Sequence, residues 1–323
     1  MVSKRLLGIM AATALALTAV SAAAGVDFPS KPVRVIVPYP AGGIVDIVAR
    51  AVTQQIASDW KSTIIVEAKP GADSNIGTAA VARSKPDGYT WLVTGPAALV
   101  NPIIYKDAGW DALRDLKCVG VAVWNQSVAV VPAALPVKTM QEFVSYAKAH
   151  PGLMYGDPGV GSSIDLTARR LTHAAGIDLT YVGYKGQPPA LVDLIGNRIQ
   201  IEIVSLILAL PQIKDGSLRP LAVFTPHRVK ELPDVPTIAE AGYPGAAYVP
   251  WYGVYVPAAT PEKVVERIHA SINKALTSPE VEARLSKSDI PGSPMTLQAL
   301  AALMKSDTEK MSDVVKESGL KPR

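Results

Sequence analysis

The stretch from Val33 to Asp46 constrains the fold more than any other part of this 323-residue chain. Val33, Val35, Ile36 and Val37 make a short apolar run suited to a buried strand. Gly42 and Gly43 supply a tight turn, and Ile44, Val45 and Asp46 open a segment with helical spacing. A strand that passes through a glycine turn straight into a helix is the repeating unit of an open α/β sheet, where ligands gather at the carboxyl ends of the strands. The turn also carries chemistry. The amides of Gly43, Ile44 and Val45 would stand at a helix start, where unpaired N–H groups and the helix dipole hold an anion without arginine. Asp46 reads as a first-turn capping acid or as a ligand group.

The same alternation continues. Strands are expected at 33–37, 63–67 and 90–94 with helices at 44–59 and 76–84 between them. A second set follows, with strands at 127–131, 154–156, 179–181, 199–203 and 221–224 and helices at 139–149, 163–175, 188–196 and 208–215. The apolar run 119–131 is long enough to pass continuously between the sets, and 251–256, after a proline-rich piece, can carry the chain back. Helices at 261–276, 279–286 and 297–316 complete the chain and are expected to pack on the first set. Thr260 and Ser278 are expected to cap the first two, each followed by a proline at the first helical position. Roughly 300 residues of about half hydrophobic composition exceed a single core. Two lobes are therefore expected, 25–125 with 251–323 and 126–250, each a mostly parallel sheet flanked by helices, with hinges near 123–128 and 250–254. No internal repeat is evident.

Lys4 and Arg5 precede an apolar run over 6–20 and the small residues Ser21 to Ala24, the pattern of an export signal over 1–24 cleaved near Ala24. No cysteine stands at the cleavage point, so a free periplasmic protein is expected. Cys118 lies in an apolar segment and, as the chain's single cysteine, reads as a small buried hydrophobe. Removing Lys4 and Arg5 lowers the formal charge from +4 to +2, too little for a nucleic-acid or membrane-surface partner.

Residues 156–163 repeat the strand, glycine turn and helix start, with Gly159, Gly161, Ser162 and Ser163 in the turn; Ser162 and Asp165 fit a capping box. Further loops run through Gly71, Ser74 and Asn75, through Thr94 and Gly95, and through Tyr184, Lys185 and Gly186. Neither glycine turn has phosphate-loop or dinucleotide spacing, His150, His173, His227 and His269 form no i, i+4 metal pair, and no G-x-S-x-G elbow occurs. No cofactor or metal is implied, and a binder fits better than an enzyme.

Several ordered runs together resemble one family: Phe28 to Asp46, Lys69 to Ala72 through Gly77, Pro86 to Thr90, Tyr184 to Gly186, Pro189 to Leu194, and Leu232 to Thr237 followed by Glu240, Ala241 and Gly242. The chain resembles the solute-binding proteins of tripartite tricarboxylate transporters, the Bug or TctC family. The resemblance implies a two-lobed, type II periplasmic-binding fold of the Venus flytrap kind, closing on a small organic acid and delivering it to permease subunits of the TctA and TctB type. It implies that one ligand carboxylate is held by the loops 39–46 and 159–165, and that a monomer does this. The site residues expected on this basis are Tyr39, Pro40, Gly42, Gly43, Val45, Asp46, Ser74, Asn75, Thr94, Gly95, Ser127, Gly159, Gly161, Ser162, Ser163, Asp165, Tyr184, Lys185 and Ser205.

The chain departs from the family pattern where Asp73 and Ser74 replace a glycine pair, where Asp165 replaces a histidine, and where Val204 and Ser205 replace an acid near an asparagine. An extra carboxylate at Asp165 would disfavour a second ligand carboxylate, so a monocarboxylate, an aromatic acid or a zwitterion is expected rather than citrate, within a partner class of mono- or dicarboxylates that includes aromatic and amino acids. Two rivals share the sequence features: a sensor that presents its ligand to a membrane kinase, and a small hydrolase using Ser162 or Ser163 near Asp165.

Overall fold

The computed structural model describes residues 28–105, 107–285 and 294–317. The chain divides into two compact units, Met1–Ser30 and Lys31–Arg323, and every element below belongs to the second. The expected export segment and its cleavage point lie outside the described residues.

The first set of elements comprises β1 (Val33–Val37), α1 (Ile44–Trp60), β2 (Ile64–Ala68), α2 (Asn75–Ala82), β3 (Thr90–Thr94), α3 (Ala97–Ile104), α4 (Ala112–Asp115) and β4 (Leu116–Trp124). The second comprises β5 (Ser127–Pro132), α5 (Met140–Ala149), β6 (Met154–Asp157), α6 (Ser163–Ala175), β7 (Thr180–Gly183), α7 (Gln187–Ile195), β8 (Ile201–Ser205), α8 (Leu206–Lys214) and β9 (Leu218–Val223). The chain then returns through β10 (Trp251–Pro257) and ends in α9 (Glu262–Leu276), α10 (Pro279–Leu285) and α11 (Leu297–Glu317). Helix α3 is not among the helices expected from sequence; its apolar residues Ala98, Leu99 and Val100 are buried in a short segment carrying Pro102.

Two five-stranded sheets result, ordered β2-β1-β3-β10-β4 and β7-β6-β8-β5-β9. The expectation of mostly parallel sheets holds for β2-β1-β3 and for β7-β6-β8 and gives way beyond them: β10 is antiparallel to β3 and β4, and β5 to β8 and β9. The cause is connectivity. Strands β5 and β10 arrive from the opposite lobe, so they enter at the edge toward which the parallel strands run. The expected continuous run over 119–131 is likewise two strands, broken at Asn125 and Gln126, because β4 pairs in one sheet and β5 in the other. The two crossings touch where the Asn125 N–H donates to the Pro250 carbonyl at 2.7 Å.

The second lobe duplicates the first. Placing β6-α6-β7-α7-β8 on β1-α1-β2-α2-β3 gives the same strand order, and the duplication leaves a trace in sequence that corrects the reading of no repeat. Gly42, Asp46, Ala49 and Arg50 recur with identical spacing as Gly161, Asp165, Ala168 and Arg169. In both lobes the glycine N–H donates to the aspartate, at 3.1 Å and 2.9 Å, and the arginine one helical turn later grips the same carboxylate. A first-turn acid that closes the preceding turn and pairs with i+4 fixes where the helix starts.

Separate apolar cores flank each sheet, one carrying Leu92, Trp251 and Leu300, the others Phe143, Ile164 and Phe224, and Val130, Leu194 and Val204. A smaller cluster joins the lobes. Val100 and Ile104 of α3, Leu166 of α6, and Met311, Val314 and Val315 of α11 pack together, so α11 braces both lobes rather than only the first. At the start of α9, Pro261 takes the cap position and Thr260 instead donates to the Pro257 carbonyl, which corrects the expected cap; Ser278 does accept from Val281 N–H. Cys118 is buried, and burial pushes its thiol up to about 12.

Candidate binding cleft

The carboxyl ends of the parallel strands of both sheets open into one cleft, with two connected chambers. The larger, of about 370 Å³, is lined from the first lobe by Pro38 to Pro40, Pro70 to Ser74 and Ala97, and from the second by Pro158 to Val160, Ser162, Tyr184 and Lys185. The smaller, of about 40 Å³, lies between Gly43, Ile44 and Val45 on one side and Ser162, Ser163 and Ile164 on the other, with Gly186, Gln187, Pro188 and Tyr252 completing it. A single water requires about 10–15 Å³ by this measure, so the small chamber suits a group the size of a carboxylate.

Three helix N-termini meet there. Helix α1 begins at Ile44 with Gly43 as its cap residue and no side-chain cap, so its first N–H groups have no partner of that kind. Helix α6 begins at Ser163, and its Ser162 cap satisfies only the Asp165 N–H, at 3.0 Å. Helix α7 begins at Gln187 after Gly186, whose φ of 102° suits glycine; it too lacks a side-chain cap, but Pro188 and Pro189 carry no N–H, so of its first three residues only Gln187 offers an amide. No lysine or arginine lines this chamber. Its donors are backbone amides, the Ser163 hydroxyl and Gln187, whose Nε2 is buried with no protein partner while its Oε1 accepts from Ser205 at 3.1 Å; the Ser162 hydroxyl is turned to Asp157. Ser163 and Tyr252 hydroxyls lie 3.0 Å apart and link the two lobes at the chamber wall.

Tyr39 lines both chambers. Burial raises its phenol, and the polar side chains of Thr94 and Ser74 beside it oppose that rise. Behind the second glycine loop, Asp157 accepts from Gly159 N–H at 2.7 Å and from the Ser162 hydroxyl at 3.3 Å. Burial, reinforced by the neighbouring charge of Asp165, holds Asp157 well above the usual carboxylate range.

Of the expected site residues, Tyr39, Pro40, Gly43, Val45, Ser74, Gly159, Ser162, Ser163, Tyr184 and Lys185 line the cleft. The others support its wall. Asp165 is fully buried and turned inward, bonded to Tyr155, Gly161 and Arg169, and Asp46 and Gly42 form the matching clamp. Asn75 is half-buried, lines neither chamber and accepts from Trp110 at 3.2 Å, so the structure does not bring it into the cleft. Thr94 and Ser127 are buried at strand ends, Ser205 holds Gln187, Gly161 packs against Val100 and Ile104, and Gly95 lies under the Tyr252 ring. Asp73, singled out in sequence as a departure from the family pattern, lines the larger chamber, whereas sequence reading missed Gln187, Pro158 and Tyr252. The helix start at Gly186 was the available signal for Gln187; nothing local marks Tyr252. Among the described residues no histidine lines the cleft, no group of three or more His, Cys, Asp or Glu is placed to hold a metal, and no helix is long and apolar enough to cross a membrane.

Two lobes of duplicated topology, joined by two crossings and enclosing a cleft ringed by helix starts, define a clamshell of the periplasmic-binding-protein class. The structure of the periplasmic binding protein BugD matches with a TM-score of 0.87 at 29% identity, covering 92% of this chain and 100% of that one. The chain matches the tripartite tricarboxylate transporter family receptor model over residues 48–320 and belongs to that family. A UPF0065 protein from the tcbD–tcbE intergenic region of Pseudomonas sp. strain P51 is 35% identical, covering 96% of this chain and 93% of the relative. Rpa4515 of R. palustris, solved with adipate, matches with a TM-score of 0.87 at 29% identity, covering 92% of this chain and 100% of that one.

Proposed function

We propose that this protein is exported to the periplasm, where it closes its two lobes on a small organic acid and hands it to a tripartite-type membrane permease. The observation that carries the reading is the small chamber, where three helix N-termini from both lobes converge and no basic side chain is present. Amides fixed in this way lose water when the cleft closes, and an anion restores their hydrogen bonds, so closure and binding are coupled. Family membership and the adipate bound by Rpa4515 support a carboxylate as the anion. The binding lobes would rotate about the paired crossings at Asn125 and Pro250. Ser162 and Ser163 act here in binding rather than as nucleophiles, since among the described residues no histidine lines the cleft and the Ser162 hydroxyl is already engaged with Asp157.

The test is a thermal-shift and calorimetric screen against mono-, di- and tricarboxylates. A ligand at 100 times its dissociation constant adds about 2.7 kcal/mol of apparent stability. Ser163→Ala and Gln187→Ala should each weaken a true ligand about tenfold, the effect of about 1.4 kcal/mol. Binding unaffected by both substitutions would place the carboxylate elsewhere.

A further inference from the structure

We propose that Asp73 selects a ligand with a protonated nitrogen at the end opposite its carboxylate, so that the captured solute is a small amino carboxylate and not a dicarboxylate. The proposal rests on the reading of the small chamber as the carboxylate site. Asp73 lines the larger chamber, and the other charged side chain lining it, Lys185, is exposed to solvent where its field is screened.

Asp73 is held in place by built contacts. Its Oδ2 accepts from the Tyr105 hydroxyl, and its own carbonyl accepts from Asn101 Nδ2 at 2.6 Å. The same Asn101 amide reaches Ser74 Oγ at 3.2 Å. Ala72, Asp73 and Ser74 all have positive φ, 46°, 49° and 74°, a run of left-handed residues that non-glycine side chains adopt only when the surroundings impose it. The carboxylate also reaches the opposite lobe: a Cβ placed on Gly159 would lie 2.8 Å from its Oδ1. An oriented acid at the seam between lobes therefore faces whatever part of the ligand extends beyond the small chamber. A cationic or N–H-donating end gains a charge-assisted hydrogen bond there, and a second carboxylate meets a like charge in a partly desolvated cleft.

The test compares chain-matched probes by calorimetry on the wild-type protein: 6-aminohexanoate, adipate and hexanoate, then 4-aminobutanoate, succinate and butanoate. The expected result is that in at least one series the amino carboxylate binds at least tenfold tighter than the diacid, and that Asp73→Asn removes that preference. Tyr105→Phe, which keeps the carboxylate and removes its anchor, should reduce the preference without reversing it. A diacid that binds as tightly as its amino counterpart in both series, or a preference unchanged within twofold in Asp73→Asn, overturns the role of Asp73 while leaving carboxylate capture standing. If no probe of either series and no member of the wider carboxylate panel binds, the underlying reading fails as well. The wild-type comparison decides the question even if Asp73→Asn does not fold.

Discussion

The duplicated Gly-Asp-Arg clamp offers a stability test with an internal control. Asp165 is fully buried, accepts from Tyr155 at 3.1 Å and Gly161 at 2.9 Å, and pairs with Arg169, whose side chain is 23% exposed. Asp165→Ala leaves a mostly buried guanidinium and two buried donors without their acceptor, a loss of about 3–5 kcal/mol for a buried pair broken on one side. Asp157 offsets part of this, because removing the neighbouring charge lets it ionise more readily, so the lower half of that range is expected. Asp46→Ala breaks the same motif in the first lobe, but there Arg50 is 51% exposed and Gly42 lies at the surface, so both regain water. Its expected cost is that of a lost cap and an exposed pair, about 1 kcal/mol. Urea and thermal melts of both variants, each read on the transition of the affected lobe, should differ by at least about 2 kcal/mol, or several degrees. Equal costs would refute the argument that burial, and not the motif itself, sets the energy of the clamp.

Glu202 is buried in β8 with neither carboxylate oxygen hydrogen-bonded to protein, and burial with the nearby Asp157 charge holds it well above the usual range. The folded state therefore binds more protons than the unfolded state between the two pKa values, and stability falls as pH rises through that window. Glu202→Gln should flatten this slope in melts from pH 4 to 8, and an unchanged slope would assign it to Asp157. A methyl group added at Gly95 would lie 2.6 Å from ring carbons of Tyr252, so Gly95→Ala should displace that ring from Ser163 and weaken ligand binding about tenfold in calorimetry. Gly42 has φ 86° whereas Gly43 has φ −77° and its nearest Cβ neighbour is Pro40 O at 3.8 Å. Gly42→Ala should cost about 1–2 kcal/mol in denaturant melts and Gly43→Ala less than about 0.5.

Gly43 also shows where reading from sequence stops. Both glycines of the first loop read alike as turn residues, yet only Gly42 is required by backbone conformation. Asp165 presents the same limit: its spacing from Ser162 gave the cap, but spacing is silent on whether the carboxylate faces the cleft. Arg169 one turn later, and Tyr155 in the preceding strand, turn it inward. The missed repeat has a related cause, since four matching residues in nine carry little weight until both copies are found at the same corner of two equivalent sheets.

The chain by itself determined the alternation of strands and helices, the helix starts at the two glycine loops and the lineage, because periodicity, capping and turn chemistry act between residues a few positions apart. Tertiary structure alone decided which donors share a chamber. Gln187 and Tyr252 join Ser163 there from elements separated by long stretches of chain, and Asp73 is presented by contacts with Asn101 and Tyr105. Such placements follow from sheet order and core packing, which sum contacts from the whole fold and leave no local mark in the sequence.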